Sequence, residues 1–332
     1  MKTIIIAEAG VNHNGNFRNA KKLILEAKKS GADIVKFQKF KAEKLVTKKA
    51  KLANYQRKNY KNISQYQMLK KLELKDSDYK KLYQYSKKIK IKFLCSCFDK
   101  ESLAFLQFYK NDFIKIPSGE INNFPLLKYA GNLKNKVILS SGMSTIDEIT
   151  LAINTIIKSG TPKKNIYLLH CNSDYPTNIK DVNLRAFDQL KEKFGLKLGY
   201  SDHTTSQEVP IIAVAMGAKI IEKHFTLNKN LKGPDHAASF NPREFKTLVE
   251  NIRKTEIILG KNKKIVTASE KRNKLSVRKS IVAKRAIKKG DKFSTNNITI
   301  KRPGNGISPL KFFKIIGKKS KYSFKQDDLI KV

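Results

Sequence analysis

The stretch AKIIEKHF, Ala218–Phe225, decides the fold. It opens as a buried β-branched strand and then sets Glu222, Lys223 and His224 in a row. It is also the last of a series. TIIIAEAG, DIVKFQ, IKFLCS, DFIKIPSG, KVILSSGM, NIYLLHC and KLGYSDH precede it, with helical patterns between and after them such as 145–159 and 241–259. Short apolar strands alternating with amphipathic segments predict βα units around a parallel sheet. Eight such strands predict a closed (β/α)8 TIM barrel. An open doubly wound sheet would carry G-x-G-x-x-G after its first strand, and GVNHNG at 10–15 is not that turn.

The texture changes after Gly260. A polar, basic stretch, KNKKIVTASEKRNK, reads as a linker over 261–274, and short strands with tight polar turns follow. The expected organisation is a barrel over 1–260, that linker, and a small β-rich domain over 275–332.

With 332 residues and a formal charge of +41, the chain is long enough for a full core and extreme in its balance. Most of the excess is Lys in helical segments such as NAKKLILEAKKSG, without an aromatic-basic recognition motif. The pattern is that of a solvated face, and no nucleic-acid partner is expected. No apolar run approaches the roughly 20 residues needed to span a bilayer, so no membrane partner is expected either. MKTIIIAEAG reads as a strand rather than a signal peptide. Three cysteines, Cys95, Cys97 and Cys171, make a poor disulfide framework and fit reduced core thiols in a cytoplasmic protein.

Barrel active sites lie at the carboxyl ends of the strands. Taking alternate residues as inward-facing, the first strand delivers Glu8, the second Lys36 and Gln38, and the fourth Lys115 followed by Ser118 and Glu120. Later strands end at Ser140 and Ser141, at His170 to Ser173, at Ser201 and His203, and at Glu222 and His224, whereas Lys39 reads as outward and Lys223, which points toward the helices, as a surface group. One polar strand end simply meets water. Several cations, hydroxyls and carboxylates at one mouth would be costly to desolvate without a ligand. His203 and His224, on adjacent strands, could share a Mn²⁺, Zn²⁺, Fe²⁺ or Co²⁺ ion that keeps positions open for substrate. Lys36 and Lys115 among serines suit phosphate or carboxylate oxygens. A Schiff-base lysine is the competing reading, less favoured in so polar a setting.

In sequence, the chain resembles the sialic acid synthase family, enzymes that condense phosphoenolpyruvate with an N-acylated mannosamine. The resemblance rests on IAEAGVNHNG, GADIVKFQ, KIPSGEINNFP, LSSGM, HCNSDYPT, GYSDHT, GAKIIEKHFTL, GPDHAAS and KRPGNG, in that order. It implies a C-terminal antifreeze-like (SAF) domain, a metal on His203 and His224 with Mn²⁺ expected, and phosphoenolpyruvate contacts at Lys36, Lys115, Ser118, Ser173 and Ser201. Gln38 is shared with the family as a binding residue. Glu8 and Glu120 correspond to its polar or proton-handling glutamates, and Tyr175, Asp235 and Arg302 to its sugar contacts. The family also implies a domain-swapped homodimer in which Arg302 serves the partner's site. Cys97 and Asn172 depart from residues common in the family. The expected product is N-acetylneuraminate from N-acetylmannosamine. The alternative is N,N'-diacetyllegionaminate from 2,4-diacetamido-2,4,6-trideoxymannose, read by residues near Tyr55, Gln56, Tyr66 and Asn172.

Overall fold

The structure, a computed structural model, describes residues 2–57, 60, 62–109 and 111–332. Eight parallel strands form a closed barrel in sequence order: β1 (Ile4–Gly10), β2 (Ile34–Lys39), β3 (Lys92–Cys97), β4 (Phe113–Ile116), β5 (Lys136–Ser140), β6 (Ile166–His170), β7 (Lys197–Asp202) and β8 (Ile220–His224). Strand β8 pairs with both β7 and β1, and this pairing closes the ring.

Two apolar layers follow from the period of two. Ile6, Ile34, Leu94, Phe113, Ile138, Tyr167, Leu169 and Ile220 fill the barrel interior. The alternate residues, including Ile5, Val35, Cys95, Leu139 and Ile221, pack against the surrounding helices. Gly199 on β7 makes the inner packing possible, because a Cβ there would run into Leu169 and the backbone oxygen of Ile220. Helix boundaries follow local chemistry. Ile146–Lys158 starts at a capping box of Thr145 and Glu148, and Pro242–Leu259 at one of Asn241 and Glu244.

Register places the functional layer. Glu8 lies opposite Lys36 on one side and His224 on the other, Ser96 opposite Lys115, and Ser201 opposite Glu222. Above that layer, the chain between β2 and β3 contributes short helices, among them Gln65–Leu72, that build a rim. The rim has its own cluster of Val11, Phe40, Leu52, Met68 and Leu72, with Leu45, Leu69 and Phe98 packed against it.

The chain divides into two compact units, Met1–Gly260 and Lys261–Val332. In the second, β9 (Ser280–Ala283) pairs antiparallel with β10 (Ile298–Lys301) over a core that includes Ile281, Phe293, Ile298, Ile315 and Ile330. The stretch expected as a linker is not all extended. A helix, Ala268–Val277, crosses the expected boundary at Leu275 and buries none of its residues. Among the described residues, no helix is long and apolar enough to cross a membrane.

Candidate active site at the barrel mouth

At the carboxyl ends of the strands lies a cavity of about 520 Å³. Glu8, Lys36, Gln38, Lys115, Ser118, Glu120, Ser173, Tyr175, Ser201, His203 and His224 all line it, as do Glu222 and Cys171. The strand ends therefore gather most of their polar groups in one place, but Ser141, bonded to the Leu169 carbonyl, and His170, bonded to the Val182 carbonyl, lie outside it.

The floor is a buried charge network. Lys36 Nζ lies 2.9 Å from Glu8 Oε2 and 3.5 Å from Glu222 Oε1, and donates to Ser96 Oγ at 2.8 Å. Lys115 Nζ donates to Ser140 Oγ at 2.7 Å and to Glu222 Oε1 at 3.1 Å. Ser201 Oγ donates to the same Glu222 oxygen at 3.0 Å. Glu222 is thus the hub, a part that strand parity did not assign to it. Burial opposes its charge, but Lys115 and Lys36 prevail and hold its pKa down to about 2. For Glu8, burial outweighs Lys36 and the pKa rises. The lysines split in the same way. Burial opposes the Lys36 ammonium, yet Glu222 and Glu8 raise its pKa, whereas for Lys115 burial prevails and the pKa falls.

Beside the floor, Ser118 Oγ accepts from the Gly142 backbone N–H at 3.0 Å and sits 3.3 Å from Cys171 Sγ. A Cβ at Gly142 would collide with the hydroxyls of Ser173 and Ser118, so glycine there leaves both hydroxyls room. Glu120 accepts from Asn123 Nδ2 at 2.7 Å, and burial raises its pKa.

The two histidines face each other with ring centroids 5.2 Å apart. His203 Nδ1 is engaged by the carbonyl of Asn172, which makes it the donor and leaves Nε2 as the lone-pair nitrogen. His224 Nδ1 is buried without a hydrogen-bond partner, the nearest carboxylate oxygen being Asp235 Oδ2 at 3.8 Å. Burial keeps both rings neutral, pushing His203 down to about 4, and His203 itself depresses His224 further. Neutral, convergent imidazoles fit a divalent cation. Among the described residues, no group of three or more His, Cys, Asp or Glu converges as a metal site, so an ion held here would keep several positions for oxygen ligands. Tyr175 covers His203 at 4.1 Å and meets Tyr55 at 5.0 Å.

Other expectations are displaced. Asp235 stands beside His224 rather than in the cavity wall, and burial and Glu8 push its pKa up to about 7. Tyr55 and Gln56 line the cavity. Tyr66 belongs to a separate surface cleft, and Asn172 is absent from the cavity wall. Lys223 is not a surface group. It is fully buried against Asp202 at 2.7 Å and also donates to the Thr204 carbonyl. Lys39 faces outward from the barrel but is buried too, paired with Asp76 at 2.6 Å and lying 4.3 Å from the Phe105 ring centroid. Arg302 is exposed in the second unit.

The NeuB family model matches residues 23–264, and the SAF domain model matches residues 278–331. An N,N'-diacetyllegionaminic acid synthase of Campylobacter jejuni is 49% identical over 99% of both chains. A synthase of the same description from Legionella pneumophila is 44% identical, covering 96% of this chain and 90% of that one. A solved N-acetylneuraminic acid synthetase of Leptospira borgpetersenii superposes with a TM-score of 0.72 at 35% identity, over 82% of this chain and 90% of that one. With the barrel, the polar mouth and the second unit accounted for together, the chain belongs to the NeuB family and carries a C-terminal SAF domain.

Proposed function

We propose that the protein is an N,N'-diacetyllegionaminate synthase, which condenses phosphoenolpyruvate with 2,4-diacetamido-2,4,6-trideoxymannose and water and releases phosphate. The observation that carries this reading is the 49% identity, end to end, with the Campylobacter protein of that description. It favours the diacetamido sugar over N-acetylmannosamine, the acceptor expected first.

The floor suits the phosphoenolpyruvate. Lys36 and Lys115 offer ammoniums, and Ser118, Ser173 and Ser201 hydroxyls, to phosphate and carboxylate oxygens. Both lysine heads are already held by serine and carboxylate partners, so their positions are set before substrate arrives. A Schiff base is less apt, because both ammoniums are hydrogen-bonded within a charged network. C3 of phosphoenolpyruvate attacks the aldehyde carbon of the open-chain sugar. Water adds at C2, and phosphate leaves by C–O cleavage. Glu120, whose pKa is raised, is our choice to move the proton at the water or sugar hydroxyl, with Glu8 the second. His203 and His224 would hold a divalent cation, with Mn²⁺ the expected ion, which when bound polarises a carbonyl oxygen. Tyr175 and Tyr55 wall the sugar side.

A homodimer completes the proposal. Leu275 and Val277 are 61% and 52% exposed on a helix that buries nothing, an apolar surface suited to a second copy of this chain. Arg302, in the SAF domain, would then serve the partner's site. Reduced thiols and a phosphoenolpyruvate substrate fit a cytoplasmic enzyme.

The test is phosphate release with phosphoenolpyruvate, Mn²⁺ and each sugar in turn. The diacetamido sugar is expected to give the higher kcat/KM, chelation to abolish turnover, and Mn²⁺ to restore it. Faster turnover of N-acetylmannosamine would return the reading to a neuraminate synthase.

A further inference from the structure

The floor and the rim of the cavity differ in chemistry. The floor is ionic throughout. The rim is uncharged: it turns an apolar patch of Leu45, Val46, Leu69 and Phe98 toward the cavity, beside Tyr55, Gln56 and Gln65. Leu45, Leu69 and Phe98 are held by the rim's own apolar cluster and are only partly buried, which leaves part of each side chain facing the ligand space. Among the described lining residues, the only lysines are Lys36 and Lys115, both on the floor and both already paired.

With phosphoenolpyruvate on the floor as proposed, the two chemistries orient an open-chain sugar. The aldehyde carbon must reach the floor, where the anion-binding groups lie, so the opposite end, C6, extends to the rim. We infer that Leu45, Val46, Leu69 and Phe98 form a C6 subsite that selects a methyl group and disfavours a hydroxymethyl or a phosphorylated C6. This rests on the proposed synthase reading and names the residues that would make it selective. A C6 hydroxyl against this wall has no polar partner among those four side chains and loses its hydration. A C6 phosphate would meet no cation among those four side chains. Discrimination against a hydroxyl by an apolar pocket is modest, of order 10- to 100-fold in kcat/KM.

The experiment uses two acceptors that differ in one oxygen, 2,4-diacetamido-2,4,6-trideoxymannose and its 6-hydroxy counterpart, with N-acetylmannosamine as a third. The wild-type enzyme is expected to favour the 6-deoxy member of the pair at least about 10-fold. Val46→Thr replaces a methyl by a hydroxyl at nearly constant volume, and Leu69→Asn is the stronger change. Either should shrink the preference about 5-fold or more by recovering the 6-hydroxy sugar. A merely structural effect would lower both sugars alike. A wild-type preference near unity, or variants that slow both sugars equally, would overturn the C6 subsite. If N-acetylmannosamine is instead the best acceptor of the three, the legionaminate reading itself fails, a separate result.

Discussion

Glu222 shows how much one carboxylate can organise. Its Oε1 takes contacts from Lys115, Ser201 and Lys36, while Oε2 is buried without a hydrogen-bond partner. Removing one partner of a buried ionic network leaves the others uncompensated, at a cost of about 3–5 kcal/mol. Glu222→Gln keeps the shape and removes the charge between two ammoniums. We expect a loss of stability of about 3 kcal/mol by urea denaturation and at least a 100-fold fall in kcat/KM, since the floor is proposed to position phosphoenolpyruvate. A Gln variant with wild-type stability and turnover would remove Glu222 from the hub. Parity of the strands made the inward direction of Glu8, Lys36, Lys115 and His224 legible. It could not reveal that Glu222 joins both lysines, because those contacts depend on the closure of the ring. The burial of Lys223, which reads as a surface group, and of Lys39, which does face outward, is illegible for a related reason. Lysine is ordinarily exposed, and only Asp202 and Asp76, brought near by folding, account for their burial.

The loops following β1 and β8 are tied to each other. His236 pairs through Nδ1 with Thr226 Oγ1 at 2.7 Å and through Nε2 with Asn14 Oδ1 at 3.2 Å, and Asn12 donates to the Phe225 carbonyl at 2.9 Å. His13 is fully buried close by and accepts from the Gly15 N–H at 3.0 Å. Burial, with His236 adding to it, pushes His13 down to about 3, and burial pushes His236 down to about 4. Both values lie below the ordinary 6.5, so the stability these rings contribute is present above pH 6.5. It is lost as pH falls from there toward their folded values, because the unfolded chain takes up protons first. Each should cost about 2 kcal/mol between pH 7.5 and pH 5. Urea midpoints measured across that range should fall with pH, and His236→Gln should flatten the slope. An unchanged slope would assign the acid sensitivity elsewhere. At this scale the sequence was most readable where structure is local. Helices beginning after Thr145 and Asn241 start at capping boxes and carry an apolar stripe, whereas the helix Ala268–Val277, which also starts at a capping box, of Thr267 and Glu270, has no such stripe, and its residues 268–274 read as linker.

Over the whole molecule, charge is less evenly distributed than the scattered lysines imply. Residues 261–332 hold 22 of the 69 Lys and Arg but only 4 of the 28 Asp and Glu. The second unit is therefore the more basic one, and its helix Ala268–Val277, which buries none of its residues, is where the proposed second copy of the chain would cover apolar surface. Sedimentation should find a dimer, and Leu275→Glu with Val277→Glu should yield monomers whose circular dichroism is unchanged. A wild-type monomer with full activity would refute the shared site. The barrel count, the second unit and most of the mouth were legible because they repeat with a period of two or carry motifs. The rim was not, since its short helices have neither. Its separate apolar cluster nonetheless has a consequence for descent. A segment that carries its own packing can accumulate substitutions, or be exchanged between relatives, while the ionic floor and the strand layers beneath it stay fixed. On the proposed division of labour, acceptor choice and bond-forming chemistry would be inherited as two parts, free to diverge at different speeds.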